Sequence, residues 1–234
     1  MTTTTTTTLT LNESWLSRRN AFDWVFAAVV LAGGLFAFAR YAGAMDIYEK
    51  IILLATLPAA VWLGWFWRPL AVLGLVVGAA SLLGISSYQG DLARADNVFW
   101  LKYFLSSQSA ILWMSVLFFM STIFYWLGFF GGRQSDAMEL IGSRLAWTAV
   151  ALALTGTMVR WYESHLLGPD IGHIPVSNLY EVFVLFCWIT TVFYLYYESH
   201  YGTRALGAFV MLVVSAAVGF LLWYTLVRDA HQIQ

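Results

Sequence analysis

In the segment GPDIGHIPVSNLYE, residues 168–181, a Gly/Pro-broken polar stretch holding a histidine runs straight into a long apolar segment through Asn178 and Glu181. His173 is of the type that ligates metals and haem. Asn178 and Glu181 stand three apart, a spacing that places them on one edge of a helix. The same pair has a purely structural use. Pro175 stops any preceding helix and biases Ile174 to extended backbone. Asn178 can then cap the helix that follows, and Glu181 can reach back to the Asn178 N–H in a capping box, its charge set against the positive end of the helix dipole. A cap accounts for Asn178 and Glu181 without a ligand. It leaves GPDIGHIP unexplained, because irregular backbone is tolerated at membrane depth only where protein or a cavity covers it.

The remaining candidates are weaker. An ionisable residue deep in a bilayer is costly and points to function, yet Asp23, Arg40, Glu49, Lys50, Arg160 and Glu198 all fall at predicted span ends. That placement makes no case for a proton relay or an ion pathway through the middle. A haem held inside the bilayer needs axial ligands from span interiors, whereas His165, His173, His200 and His231 fall in loops or at span ends. Each alone reads as an interfacial imidazole. Cys187 is the sole cysteine, which excludes an intramolecular disulfide, a CxxC pair and a thiolate cluster. Trp100, Tyr103, Trp161, Tyr162, Tyr180, Trp223 and Tyr224 form an aromatic belt, although a flat apolar ligand would use the same residue types. Gln108, Ser115 and Thr122 recur at intervals of seven and share a helix face. Interhelical hydrogen bonding is the simpler use of such a stripe, and a substrate lining is the sharper one.

These residues must be positioned by membrane helices. The chain is 60% hydrophobic and 11% charged, well under the roughly 25% charge of a soluble domain. The expected fold is an all-α, polytopic transmembrane helical bundle of about seven spans: Phe22–Ala39, Ile47–Trp67, Leu70–Ser87, Ser106–Phe130, Arg144–Trp161, Asn178–Tyr197 and Ala205–Leu226. Only Arg68 and Pro69 separate the second from the third. Small residues at Gly74 and Gly78, and at Ser215 and Gly219, suggest helix contacts. A net charge of −1 with no basic stripe argues against a nucleic-acid partner. The opening MTTTTTTTLTL reads as a flexible tail and fails as a signal peptide. Lysine and arginine divide six against six between the two sides, so the Arg18/Arg19 pair beside the first span decides for a cytoplasmic amino terminus. The 162–177 loop and the carboxyl terminus then lie outside. A small-molecule transporter would show matched Gly/Pro breaks in inverted halves, and the breaks at Pro58 and Pro69 have no later counterparts. That alternative and a structural membrane subunit both stay open.

GHIPVSNLYEVFVLF resembles the signature segment of the CcsA/ResC type of cytochrome c biogenesis proteins, often called CcsB in bacteria. FLSSQSAILWMSVLFFMSTIFYWLG is similar to that family's first conserved helix, and RLAWTAVALALTGTMVRWYESHLLGPDIGHIPVSNLYE to the next helix and outer loop. The resemblance covers residues 98–234. It implies a flexible Thr-rich cytoplasmic tail over 1–20, a three-span extension over 21–97 and a partial assembly domain of four spans over 98–234. It further implies a subunit of a cytochrome c haem-lyase complex in the bacterial cytoplasmic membrane, with haem b as substrate. A ResB-type protein, apocytochrome c, membrane lipid and, indirectly, a thiol-reducing thioredoxin-like protein are the implied partners. Carried over residue by residue, His173 and Tyr180 match the rim of an outer haem site, supported by Pro175, Ser177, Asn178 and Glu181. The family's tryptophan-rich WWD segment and its haem-ligating histidines have no counterpart in this sequence. By the same resemblance the ligands are not His165, His173 or His231, and this sequence stops before the WWD segment, giving a scaffold without activity of its own.

Overall fold

The computed structural model describes residues 19–43, 45–132, 135–168 and 174–228. Among the described residues every regular element is helical. In order these are α1 (Ala21–Tyr41), α2 (Ile47–Phe66), α3 (Arg68–Tyr88), a short α4 (Arg94–Asn97), one π-helical turn (Leu101–Leu105), α5 (Ser107–Phe130), α6 (Ser135–Leu167), α7 (Leu179–Tyr201) and α8 (Gly207–Arg228). Seven of them are long and apolar enough to cross a membrane, as the hydropathy pattern requires. The chain divides into two compact units between Leu75 and Val76.

In the first unit both helices open on reciprocal caps. Asn20 and Asp23 exchange side-chain to backbone bonds at 3.3 and 3.1 Å, and Asp46 and Glu49 do so at 2.7 and 3.0 Å. The start of α1 meets the end of α2. There Trp65 Nε1 donates to Asp23 O at 2.9 Å, Arg19 Nη1 donates to Trp65 O at 2.7 Å, and Phe26 packs where Gly64 leaves room. Pro58 does not break α2, which continues through it. Pro69 lies in the first turn of α3, where its missing N–H has no helical acceptor to lose. Trp67 alone separates α2 from α3.

The second unit is organised by α5 and α6, whose buried faces repeat in steps of three and four. On α5 the seam runs Ser107, Ile111, Met114, Phe118, Ser121, Tyr125 and Gly128. On α6 it runs Gly142, Ala146, Ala149, Ala153, Gly156, Arg160 and Glu163. Lipid tails supply no hydrophobic drive for helix association, so small residues that admit a close backbone approach take its place. A Cβ on Gly156 would lie 3.0 Å from Ile111 Cγ1 and 3.2 Å from Ala110 Cβ. The close approach expected at Gly74, Gly78 and Gly219 is not found among the described residues: beyond the local helix backbone and chain neighbours, none of their atoms lies within 4 Å of a Cβ built at these three positions. Ser215 does pack, with its Oγ 2.6 Å from Thr122 Oγ1. Gly202, with φ of 65°, closes α7 in the left-handed conformation that glycine adopts without strain.

One expectation needs correction. The hydropathy pattern bounds the fifth span at Arg144 and Trp161, with a loop from residue 162. Helix α6 instead runs from Ser135 to Leu167, because mean hydropathy drops at both ends although no helix breaker appears before Gly168. Residues 162–167 are therefore helical, and Arg160 and Glu163 lie inside the helix with their side chains buried.

Candidate functional site

Where α5 begins, α6 ends and α7 begins, the seams of the second unit turn polar. Glu163 is buried and bonded through both oxygens. It accepts from the Tyr88 hydroxyl, from the Ser107 N–H at 3.1 Å and from the Ser107 hydroxyl. The carboxylate thus sits at the amino-terminal end of α5, where the unsatisfied N–H groups and the helix dipole favour negative charge. One turn back along α6, the Arg160 Nε donates to Glu181 Oε1 at 2.8 Å in an ion pair whose side chains are only 7% and 4% exposed. The guanidinium also lies over the Tyr180 ring, 5.3 Å from its centroid. Buried charges persist only when paired and hydrogen-bonded, and Glu163 and the Arg160–Glu181 pair draw their partners from four helices, α3, α5, α6 and α7.

Glu181 is where the expected capping box changes form. Asn178 Oδ1 accepts from the Glu181 N–H at 2.9 Å, so the cap is made. The reciprocal half is not. The Glu181 carboxylate takes Arg160 through Oε1, and through Oε2 it takes the N–H and hydroxyl of Ser177, at 3.1 and 3.2 Å. A buried guanidinium is a stronger donor partner than the cap N–H. The carboxylate therefore ties α7 to α6 and to the segment before α7. Pro175 is buried in that segment. His173 and His231 lie outside the described residues. His165 on α6 and His200 on α7 are exposed and rest beside Trp161 and Tyr196.

Two cavities flank the first turn of α5 and share Gln108 and Ser109. One, of 300 Å³, is bordered by Tyr88, Asp96, Lys102, Ser106 and Glu163. The other, a cleft of 270 Å³, lies between Tyr180, Ser115, Ile111 and Leu112 on one side and Leu221, Leu222 and Thr225 of α8 on the other. The heptad stripe of α5 thus divides. Thr122 is committed to Ser215 and to Met211 O at 2.9 Å, while Gln108 and Ser115 face the cleft.

A second polar cluster occupies the opposite ends of the same helices. Glu198 accepts from Tyr125 at 2.7 Å and Tyr194 at 2.9 Å through Oε2, and from Arg204 Nε at 3.0 Å through Oε1. A carboxylate near a helix carboxyl terminus opposes the dipole, and these three donors offset that.

Sequence reasoning placed Arg160 and Glu198 at span ends and overlooked Glu163, Tyr88 and Ser107. The signal was present in α6. The small-residue period from Gly142 to Gly156 continues without a break onto Arg160 and Glu163, so both must point where the small residues point.

The chain is 32% identical over 107 residues to the cytochrome c biogenesis protein CcsA of Chlorella vulgaris, covering 45% of this chain and 31% of that protein. It is 29% identical over 102 residues to the CcsA of Gloeobacter violaceus, covering 43% and 28% respectively. To the CcsA of Mesostigma viride it is 27% identical over 124 residues, covering 51% and 36%. Over about half its length the chain is similar to CcsA proteins. It spans about a third of the length of the curated CcsA relatives it matches. No family model matches it, and no solved structure does. Of the HIPVSNLYE residues described, Tyr180 and Glu181 meet Arg160 of α6, while Ser177 and Asn178 bond to Glu181.

Proposed function

We propose that this chain is a membrane subunit of the cytochrome c biogenesis machinery, one that delivers haem to the outer face of the membrane and supports its covalent attachment to apocytochrome c. The observation that carries the reading is the similarity to CcsA proteins over about half the chain, joined to seven helices able to span a membrane. In this reading haem b is the substrate. Its vinyl groups meet the two reduced thiols of an apocytochrome CxxCH motif, and thioether formation is chemistry of haem and peptide. The chain supplies binding, orientation and exclusion of water. Tyr180, which lines the cleft, and His173 stand at the rim of the outer haem site. Pro175, Ser177, Asn178 and Glu181 hold the backbone that presents them.

The division into a three-span extension, 21–97, and an assembly segment, 98–234, follows the resemblance. So do a ResB-type partner, an indirect supply of reductant from a thioredoxin-like protein, and the bacterial cytoplasmic membrane with the cluster of Arg160 and Glu181 facing outward.

Deletion of the gene in its own host tests the reading. Membranes of the deletant should lose every covalently haem-stained c-type band while b-type haem spectra remain, and an in-trans copy should restore the bands. Unchanged c-type cytochromes would sink the proposal, and loss of b-type spectra as well would place the chain in haem synthesis instead.

A further inference from the structure

Asp96 and Lys102 border the same 300 Å³ cavity, yet they form no ion pair among the described residues. The Lys102 ammonium rests beside the Tyr103 ring, 5.9 Å from its centroid. Gln108, which lines both this cavity and the 270 Å³ cleft, makes no side-chain hydrogen bond among the described residues either. The hydroxyls around them are committed. Ser106 Oγ donates to Ser109 Oγ at 3.0 Å and Ser109 Oγ to Lys102 O at 2.6 Å, while Ser115 and Thr225 donate to carbonyls of their own helices at 2.8 and 2.7 Å. Glu163 is engaged by Tyr88 and Ser107. What remains open to a ligand is one ammonium, one carboxylate and one amide, all on a single cavity.

That set selects its occupant by charge. A free anion drawn to Lys102 would face the carboxylates of Asp96 and Glu163, and a free cation drawn to those carboxylates would face Lys102. A zwitterion satisfies both signs at once. A primary ammonium brings three N–H donors, which the Asp96 carboxylate and the Gln108 carbonyl can accept. A quaternary ammonium has none and calls for an aromatic cage, whereas Tyr88 is the one aromatic residue lining this cavity and is 1% exposed. The cleft that shares Gln108 and Ser109 is walled by Ile111, Leu112, Leu221 and Leu222, which suits an apolar body. Leu112 is exposed on α5, a helix able to span the membrane, so an acyl chain reaches the cleft from the lipid.

We infer that the two cavities flanking the first turn of α5 form one binding site for a phospholipid with a phosphoethanolamine head. Its phosphate meets Lys102, its primary ammonium meets Asp96 and Gln108, and an acyl chain lies in the cleft between α5 and α8. Nothing in this site depends on haem.

Native mass spectrometry of the full chain in detergent, titrated with chain-matched phosphatidylethanolamine and phosphatidylcholine, tests the site. Phosphatidylethanolamine should bind about tenfold or more tightly than phosphatidylcholine, the scale of a hydrogen bond to a charged group. Asp96→Asn, on an exposed side chain, should bring the two lipids to within about twofold while leaving the affinity for phosphatidylcholine unchanged. Lys102→Ala should weaken both alike, because both carry the phosphate. Leu222→Trp fills the cleft and should also weaken both, and Leu112→Trp, at an exposed position, serves should the first variant fail to elute as a monodisperse species. Equal binding of the two lipids by the wild-type chain overturns the site, as does a preference that survives Asp96→Asn. Tighter binding of phosphatidylglycerol, whose head carries no ammonium, overturns the zwitterion as ligand. Lipid binding that is unchanged when the cleft is filled, or that soluble glycerophosphoethanolamine displaces as effectively as phosphatidylethanolamine does, overturns the place given to the acyl chain.

Discussion

At the residue scale, the buried bonds of Arg160, Glu163 and Glu181 differ in what their loss exposes. Tyr88→Phe removes one donor from Glu163 and leaves two, so a loss of about 1.5–3 kcal/mol is expected for a hydrogen bond to a charged group. Arg160→Ala strands Glu181 without its cation and should destabilise by about 3–5 kcal/mol. The double variant Arg160→Ala/Glu181→Leu should recover most of that loss, because no buried charge then lacks a partner. Thermal unfolding of the detergent-solubilised chain provides the cycle, and strictly additive losses would show the pair to be uncoupled. The Asn178 cap was legible, since it depends on residues three apart. The destination of the Glu181 carboxylate was not. Its partner stands 21 residues away on another helix, and nothing in local spacing reports an arginine arriving from α6.

At the element scale, the seven spans were legible because each must bury its backbone bonds within one long apolar segment. Their ends were less so. Hydropathy measures what a residue prefers to be near, and the two ends of α6 are polar yet helical, with Glu163 and Ser164 at its carboxyl end buried against protein. The close-packed faces were misplaced for a related reason: a pair of glycines four apart is common by chance in spans rich in glycine, whereas the seam of α6 shows only when Gly142 through Glu163 are taken as one period. Substitution separates the two cases. Gly156→Leu would push into Ile111 and Ala110 and should destabilise by about 1–3 kcal/mol, as overpacking does. Gly219→Leu meets open space and should fall within about 0.5 kcal/mol of the parent. Comparable unfolding temperatures for the two variants would contradict the assigned seam.

At the scale of the whole molecule, seven spans put the connection before α7 and the connection before α8 on opposite sides of the membrane. Val176 and Ala205 are exposed in those connections, and Cys187 is buried and silent to aqueous reagents. In intact cells a membrane-impermeant maleimide should label Val176→Cys, and should label Ala205→Cys only after permeabilisation. The reverse pattern would invert the proposed orientation. Helix α6 then has a mechanical meaning. Its 33 residues make a rod of about 50 Å, against an apolar layer of about 30 Å. Near one end Gly142 bears on Tyr125, a donor to Glu198, and near the other stand Arg160 and Glu163. A tilt of about 5° of such a rod about its midpoint would carry its two ends some 2 Å in opposite senses.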